Sequence, residues 1–135
     1  MTVAAIIEIK SVGIESLDEQ HEELANLICE LYDIVSGGGP RYEEGLALKA
    51  VLDYATDHFT NEQELLQHYG YPHAGRHADE HGHLLDMLTR MVDRARSNGP
   101  PATPDAVDYL SDWFCNHVAE HDLAYSGYLR QRGVG

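Results

Sequence analysis

Seven residues of this sequence have the types and the spacing expected of metal ligands. They are five histidines and two carboxylates in four groups along the chain: His21, then His58 with Glu62, then His77 with His81, then His117 with Asp122. Mixtures of imidazole and carboxylate suit iron, zinc, copper or manganese. Two carboxylates among five histidines are typical of a site in which the carboxylates bridge a pair of ions. The set therefore predicts a site for two metal ions.

Two of these groups are pairs whose members are four residues apart, His58/Glu62 and His77/His81. Residues four apart lie on one face of an α-helix, one turn above the other. Both side chains of such a pair can therefore reach a single buried point.

The fourth group does not have this spacing, because His117 and Asp122 are five residues apart. A regular helix separates two such residues by about 140°. Either the helix faces both ions and supplies them from two sides, which we prefer, or a π-type widening brings the pair together. His121 is a rival ligand because it stacks on His117, but the need for a second bridging carboxylate favours Asp122.

Capping and turn signals divide the chain into helices joined by short loops. Ser16 to Glu19 has a capping-box pattern, and Gly70 stands where a left-handed helix cap is expected. Pro72 is expected at the first position of the third helix, and Thr103 with Pro104 precedes the fourth. The predicted helices cover about 17–36, 41–69, 72–97 and 104–130.

Short connections make consecutive helices antiparallel neighbours. The predicted fold is all-α, an up-down-up-down antiparallel four-helix bundle with a short N-terminal arm at about residues 1–16. A chain of 135 residues with 43% hydrophobic content is long enough for one domain and no more. We therefore expect residues 1–135 to form a single domain.

The candidate ligands lie on the apolar stripes of these helices, as His21 does with Leu24 and Ile28 in the first. A single histidine on such a stripe is as often a hydrogen-bonded core residue as a ligand. Several ionisable groups that face one core are costly unless something satisfies them, and metal ions do so. Convergence of all four groups therefore favours the metal site.

Charge and composition exclude other kinds of partner. The formal net charge of −14 opposes binding to nucleic acid or to an anionic membrane surface. The first fifteen residues resemble neither a signal peptide nor a membrane span, so a cytoplasmic protein is expected. Cys29 and Cys115 are too few for a disulfide framework and are expected to be small buried or half-buried residues.

The motifs, taken in order, resemble those of the bacterial haemerythrins. They are Val12-Gly13-Ile14, Leu17-Asp18-Glu19-Gln20-His21, His58-Phe59-Thr60-Asn61-Glu62, Tyr71-Pro72 followed by His77 and His81, and Trp113-Phe114-Cys115-Asn116-His117 with Asp122. Each motif is weak alone, but their order and their spread over nearly the whole chain are specific. The resemblance implies a non-haem di-iron centre that binds dioxygen reversibly.

The resemblance also implies a role for each ligand. One iron would be held by three histidines and the other by two, with two bridging carboxylates and a bridging oxo or hydroxo group. The three histidines are His77, His81 and His117, the two are His21 and His58, and the bridges are Glu62 and Asp122. The iron with two histidines would have the open position at which dioxygen binds.

Reversible binding needs a dry, apolar pocket beside the metal centre, because water or a proton donor there would drive the bound ligand off. Phe114 and Val118 lie within about one turn of His117 and are candidates for this pocket, as is Leu24. Plain core packing is an equally good explanation of all three. His68, His73 and His83 have no place in the pattern and are expected to be solvated or to lie outside the ligand set.

The arm departs from the resemblance. Haemerythrins usually have an N-terminal tryptophan beside the site, whereas residues 6–10 here are Ile-Ile-Glu-Ile-Lys and the only tryptophan is Trp113. Packing over the centre is expected to differ, and faster autoxidation of the loaded protein is a hypothesis that follows.

Three classes of function stay open. The first is an oxygen carrier or store, which would not be an enzyme. A full ligand set on a chain with no room for another domain favours this function. An oxygen or redox sensing module would need a signalling partner. A di-iron oxidase or peroxidase of the ferritin-like kind uses paired Glu-x-x-His motifs, and the sequence has one, Glu80/His83.

Overall fold

Four helical segments run alternately up and down and pack into a bundle. The computed structural model describes residues 11–38 and 40–135. The helices are α1 Glu15–Ser36, α2 Arg41–His68, α3 Ala74–Arg96, α4 Pro104–His117 and α5 Leu123–Arg130, and a π-helical segment, Val118–Asp122, joins the last two. The fold is the all-α four-helix bundle that the sequence predicts. The arm residues 1–10, on which the missing-tryptophan argument rests, lie outside the described part of the chain.

Helix α1 does not begin with the predicted capping box. Its N-cap is Ile14, which makes no side-chain capping bond, and Ser16 lies inside the first turn. The carboxylate of Asp18 instead accepts hydrogen bonds from the Ser11 hydroxyl at 2.6 Å and from the Val12 backbone N–H at 2.8 Å. The polar side chain of the first turn therefore binds the preceding arm, and the prediction of Ser16 as the cap is wrong.

The junction of α2 and α3 contains the predicted left-handed glycine. Gly70 has a φ of +68°, and the next residue, Tyr71, donates its backbone N–H to the Leu66 carbonyl at 2.9 Å. Glycine suits this conformation because it has no Cβ. The sequence predicts Pro72 as the first residue of α3, and this prediction is wrong. The chain makes a further turn after Pro72, and the helix begins at Ala74.

Helix α4 begins as the sequence predicts. The Thr103 hydroxyl accepts a hydrogen bond from the Ala106 backbone N–H at 3.2 Å, and Pro104 occupies the first helical position. This side-chain cap satisfies one of the N–H groups that every helix leaves without a partner at its start.

The preference for a regular fourth helix is wrong. After His117 the backbone widens into the π-helical segment Val118–Asp122, and Leu123 donates its N–H to the Val118 carbonyl five residues earlier. A π-turn accommodates one more residue than an α-turn, so it brings residues five apart close to one face. The alternative of a local π widening is therefore confirmed.

The core between the helices is apolar along most of its length. Buried side chains from all four segments meet there, among them Leu24, Leu48, Leu88 and Leu110. Among the described residues, no helix is both long and apolar enough to cross a membrane. Charged groups are rare in this core, and most of those present belong to the cluster described next.

Candidate metal centre

All seven predicted ligands lie in one buried cluster between the helices. Each is at most 4% exposed. Helix α1 contributes His21, α2 contributes His58 and Glu62, α3 contributes His77 and His81, and the end of α4 with the π-segment contributes His117 and Asp122. The helical spacing and the π-turn therefore bring the four groups of the sequence together.

The carboxylate of Glu62 faces three of the histidines. Its Oε1 lies 3.3 Å from Nε2 of His21 and 3.1 Å from Nε2 of His58. Its other oxygen, Oε2, lies 3.1 Å from Nε2 of His81. The two oxygens of one carboxylate thus face different sets of imidazoles.

The carboxylate of Asp122 is divided in the same way. Its Oδ1 lies 2.9 Å from Nε2 of His77 and 3.2 Å from Nε2 of His117, and its Oδ2 lies 3.1 Å from Nε2 of His21. Without the π-turn, Asp122 would point about 140° away from His117. The widened backbone is therefore what completes the cluster.

These contacts divide the cluster into two ends. We call His21 and His58 the two-histidine end, and His77, His81 and His117 the three-histidine end. Each carboxylate presents one oxygen to each end. This is the arrangement that carboxylates bridging two cations would have.

The spacing and the missing hydrogen-bond partners of these donor atoms suit bound metal ions better than a core without ions. Among the described residues, His58 Nε2, Glu62 Oε2 and Asp122 Oδ2 are buried atoms without a hydrogen-bond partner. His81 and His117 also face each other through their Nε2 atoms at 3.1 Å, where two unprotonated nitrogens would repel. Two ligands each about 2.1 Å from one ion and at right angles lie about 3 Å apart, close to the spacings here.

The imidazoles and carboxylates shift one another's pKa values. Burial lowers the pKa of His21, but the nearby carboxylates of Asp122 and Glu62 outweigh this and raise it to about 9. For His81 burial prevails and lowers the pKa to about 4. Burial opposes the charge on Glu62 and Asp122, yet the surrounding histidines hold both carboxyl pKa values below their usual range. Both carboxylates are therefore ionised at neutral pH, as ligands to cations must be.

Tyr125 and Gln20, which are not part of the ligand set, form hydrogen bonds with it. The Tyr125 hydroxyl donates a 2.7 Å hydrogen bond to Glu62 Oε1, and the Gln20 amide oxygen lies 2.6 Å from His58 Nδ1. Since an amide oxygen can only accept, Nδ1 of His58 carries the proton, and Nε2 has its lone pair toward the cluster. Neither residue is predicted from the sequence motifs to support the site, although Tyr125 lies one turn after Asp122 on the same face.

Aromatic rings enclose the imidazoles. Phe59 stacks on His81 with ring centroids 3.9 Å apart, and Trp113 stacks on His117 at 4.8 Å. Phe114, a predicted pocket residue, meets His21 edge-on at 5.9 Å. The rings exclude water from the cluster and limit how far the imidazoles can turn.

The other residues named from the sequence lie around the cluster. Val118 and Leu24 are buried in the apolar core. His121 is only half-buried, whereas Asp122 is fully buried, so the π-turn directs Asp122 rather than His121 inward. The other three histidines are exposed, as expected: His68, His73 and His83.

Comparison with known proteins places this geometry in a family. The model of the “Hemerythrin HHE cation binding domain” matches residues 12–129, which include all seven residues of the cluster. The chain belongs to the haemerythrin family. The resemblance first seen in the sequence motifs is thereby confirmed.

Individual relatives of this haemerythrin cover most of its length. A bacteriohemerythrin of Methylococcus capsulatus (strain Bath) is 28% identical over 112 residues, 83% of this chain and 85% of the relative. A myohemerythrin of Theromyzon tessulatum is 26% identical over 115 residues, 85% of this chain and 84% of the relative. A crystal structure of wild-type hemerythrin superposes with a TM-score of 0.83 at 25% identity, covering 94% of this chain and 95% of that one.

Proposed function

We propose that this haemerythrin binds dioxygen reversibly at a non-haem di-iron centre, as a carrier or store rather than as an enzyme. One observation supports this most strongly: each of the two buried carboxylates presents one oxygen to each end of the cluster. That division suits two bridged ions. Similarity to bacteriohemerythrins and myohemerythrins favours iron and dioxygen.

In this proposal the three-histidine end and the two-histidine end would each hold one iron, and Glu62 and Asp122 would be ligands to both. Two such ions would supply the reversible exchange of electrons with dioxygen that binding requires. The end with fewer histidines offers fewer protein ligands, so an iron there would have a position left for a small molecule.

The other residues of the chain set the conditions for reversibility. Phe114 and Val118, with Leu24 further along α1, keep water from the cluster. Tyr125 holds Glu62 in one orientation through its hydroxyl, and burial together with the neighbouring carboxylates raises the pKa of that hydroxyl well above its ordinary value. Tyr125 therefore stays a hydrogen-bond donor and does not become a second anion beside Glu62.

An optical spectrum with an iron count on the same sample tests the proposal. The protein is reduced without air, exposed to dioxygen and then returned to an oxygen-free atmosphere. We expect two irons per chain, a colourless reduced form, a pink or red form in oxygen and bleaching when oxygen is removed. Irreversible conversion to a yellow ferric form, or iron well below two per chain, would refute reversible binding.

We expect the protein to act in the cytoplasm.

A further inference from the structure

A second group of possible ligands lies beside the three-histidine end, and the proposed centre does not use two of its members. Glu80 of α3, His121 of the π-segment and His117 each place one ligand atom within 4.8 Å of the others. Glu80 and His121 are half-buried, whereas His117 is 3% exposed. The group therefore extends from the solvent to the buried cluster.

The π-turn accounts for the position of His121. It turns Asp122 into the cluster and leaves the residue before it at the rim. There the ring of His121 lies 5.3 Å from that of His117 and 6.4 Å from that of His77, measured between centroids. His121, the alternative to Asp122 as a predicted ligand, thus lies beside two residues of the three-histidine end.

An independent observation concerns the nitrogen of His117 that faces away from the cluster contacts. Nε2 of His117 lies near Asp122 and His81, while Nδ1 is buried without a hydrogen-bond partner among the described residues. A buried nitrogen of this kind can accept a cation or, once protonated, donate to a carboxylate. Glu80 is the carboxylate of this second group.

A buried centre needs a route by which its ions enter. The seven cluster residues are at most 4% exposed, so a hydrated divalent cation cannot reach them without first losing water. We propose that Glu80, His121 and Nδ1 of His117 form a transit site, which takes a divalent transition-metal ion from solvent and passes it to the three-histidine end. This inference rests on the proposed function, because it assumes that the cluster is loaded with metal.

The partial exposure of Glu80 and His121 suits brief rather than permanent binding. Half-buried side chains can move to meet an ion, and water can complete its coordination. The transit ion is released when Nε2 of His117 and its neighbours bind it on the inner side.

Metal uptake by the metal-free protein tests this site, with Co²⁺ as a coloured probe. The rate of uptake is followed by absorbance at low Co²⁺, and the final number of ions per chain is counted. The variants are Glu80→Gln and His121→Gln. Their matched controls are Glu120→Gln, an exposed carboxylate of the same π-segment, and His83→Gln, an exposed histidine of α3.

We expect both transit variants to load about tenfold more slowly, because each loses one of three ligands, and still to reach two ions per chain. The controls should load at the wild-type rate. Wild-type rates in both transit variants would overturn the transit site, and so would an unchanged rate with fewer ions bound, which indicates a role in holding the ligands. A wild-type protein that takes up no pair of ions would instead overturn the proposed function itself.

Discussion

The two ends of the cluster are built differently although they share both carboxylates. The two-histidine end is formed by regular helical positions on α1 and α2, and His58 there has an outer partner in Gln20. The three-histidine end takes its imidazoles from α3 and from the end of α4, just before the π-turn. The Nδ1 atoms of His77 and His117 at this end, like that of His21 at the other, have no hydrogen-bond partner among the described residues.

If the cluster holds two metal ions as proposed, this difference makes them unequal. At the two-histidine end, two imidazoles and the shared carboxylates would leave room for a further small ligand. At the three-histidine end, the third imidazole would close the site. We therefore expect the open end to govern ligand binding and the closed end to retain its ion more firmly.

The largest effect is expected from Glu62→Ala, because this carboxylate faces both ends. Its loss should remove both bound ions, whereas Glu64→Ala, an exposed carboxylate of the same helix, should leave two. Glu62→Gln keeps the size of the side chain and separates loss of ligation from loss of folding. The measurement is metal content per chain with helicity from circular dichroism, and two ions in Glu62→Ala would refute a shared bridge.

A smaller effect, confined to one end, is expected from Gln20→Leu. Without the amide oxygen, the Nδ1 proton of His58 loses its acceptor, and the imidazole can turn or change tautomer. Loss of such an outer partner typically weakens metal binding by about 10–100-fold. A calorimetric titration of Co²⁺ should show one weakened site and one unchanged site. Equal weakening of both sites would mean that the two ends are not independent in this way.

The pocket residues allow a kinetic comparison of the ends. Phe114 contacts His21 at the two-histidine end, whereas Val118 is the neighbour of His117 in the chain. If dioxygen binds at the open end, Phe114→Leu should change its dissociation rate on the order of tenfold, which corresponds to about 1.4 kcal/mol. Val118→Ala should keep the metal and change the rate less.

Flash photolysis or rapid mixing with a reductant measures these rates, with Val107→Ala as the control. Val107 is as buried as Val118 but lies ten residues before His117, about 15 Å along the helix. A larger effect from Val118→Ala than from Phe114→Leu would assign dioxygen to the other end.

The smallest expected effect is the change with pH in the free energy of unfolding of the metal-free protein. His21 has a folded-state pKa of about 9, above its ordinary 6.5, so its stabilising contribution is complete below pH 6.5 and is lost as pH rises toward 9. His81 has a folded-state pKa of about 4, below its ordinary 6.5, so on acidification the unfolded chain takes up this proton at a higher pH than the folded protein does. The free energy of unfolding therefore falls as pH drops from 6.5 to 4.

Below about pH 4.5 the lowered pKa values of Glu62 and Asp122 add to this loss, because the unfolded carboxylates take up protons before the folded ones. Urea unfolding of the metal-free protein should therefore be most difficult near pH 6.5. Glu62→Gln should weaken the alkaline loss, because His21 then has one carboxylate fewer beside it. Stability that rises steadily from pH 6 to 9 would contradict the assignment to His21.

Much of the fold and of the candidate site could be predicted because local periodicity carries it. His58/Glu62 and His77/His81 converge because residues four apart share a helix face wherever the helix is regular. Gly70 and Thr103 mark their helix ends by conformational preference and by side-chain capping, both of which are local. The prediction of Ser16 as the cap was wrong because the first turn is held by hydrogen bonds from residues 11 and 12 to Asp18. These bonds depend on where residues 11 and 12 lie, which helical periodicity does not determine.

By itself, the sequence determined the four-helix pattern, the ligand types and the family, since these depend on residue identity and on spacing along one helix. Tertiary structure decided what depends on contacts between helices. It divided each carboxylate between the two ends, brought Gln20 to His58 across 38 residues and Tyr125 to Glu62 across 63, and widened the backbone after His117. A π-turn costs hydrogen-bond geometry that only packing around the cluster can offset, so no local pattern could have selected it.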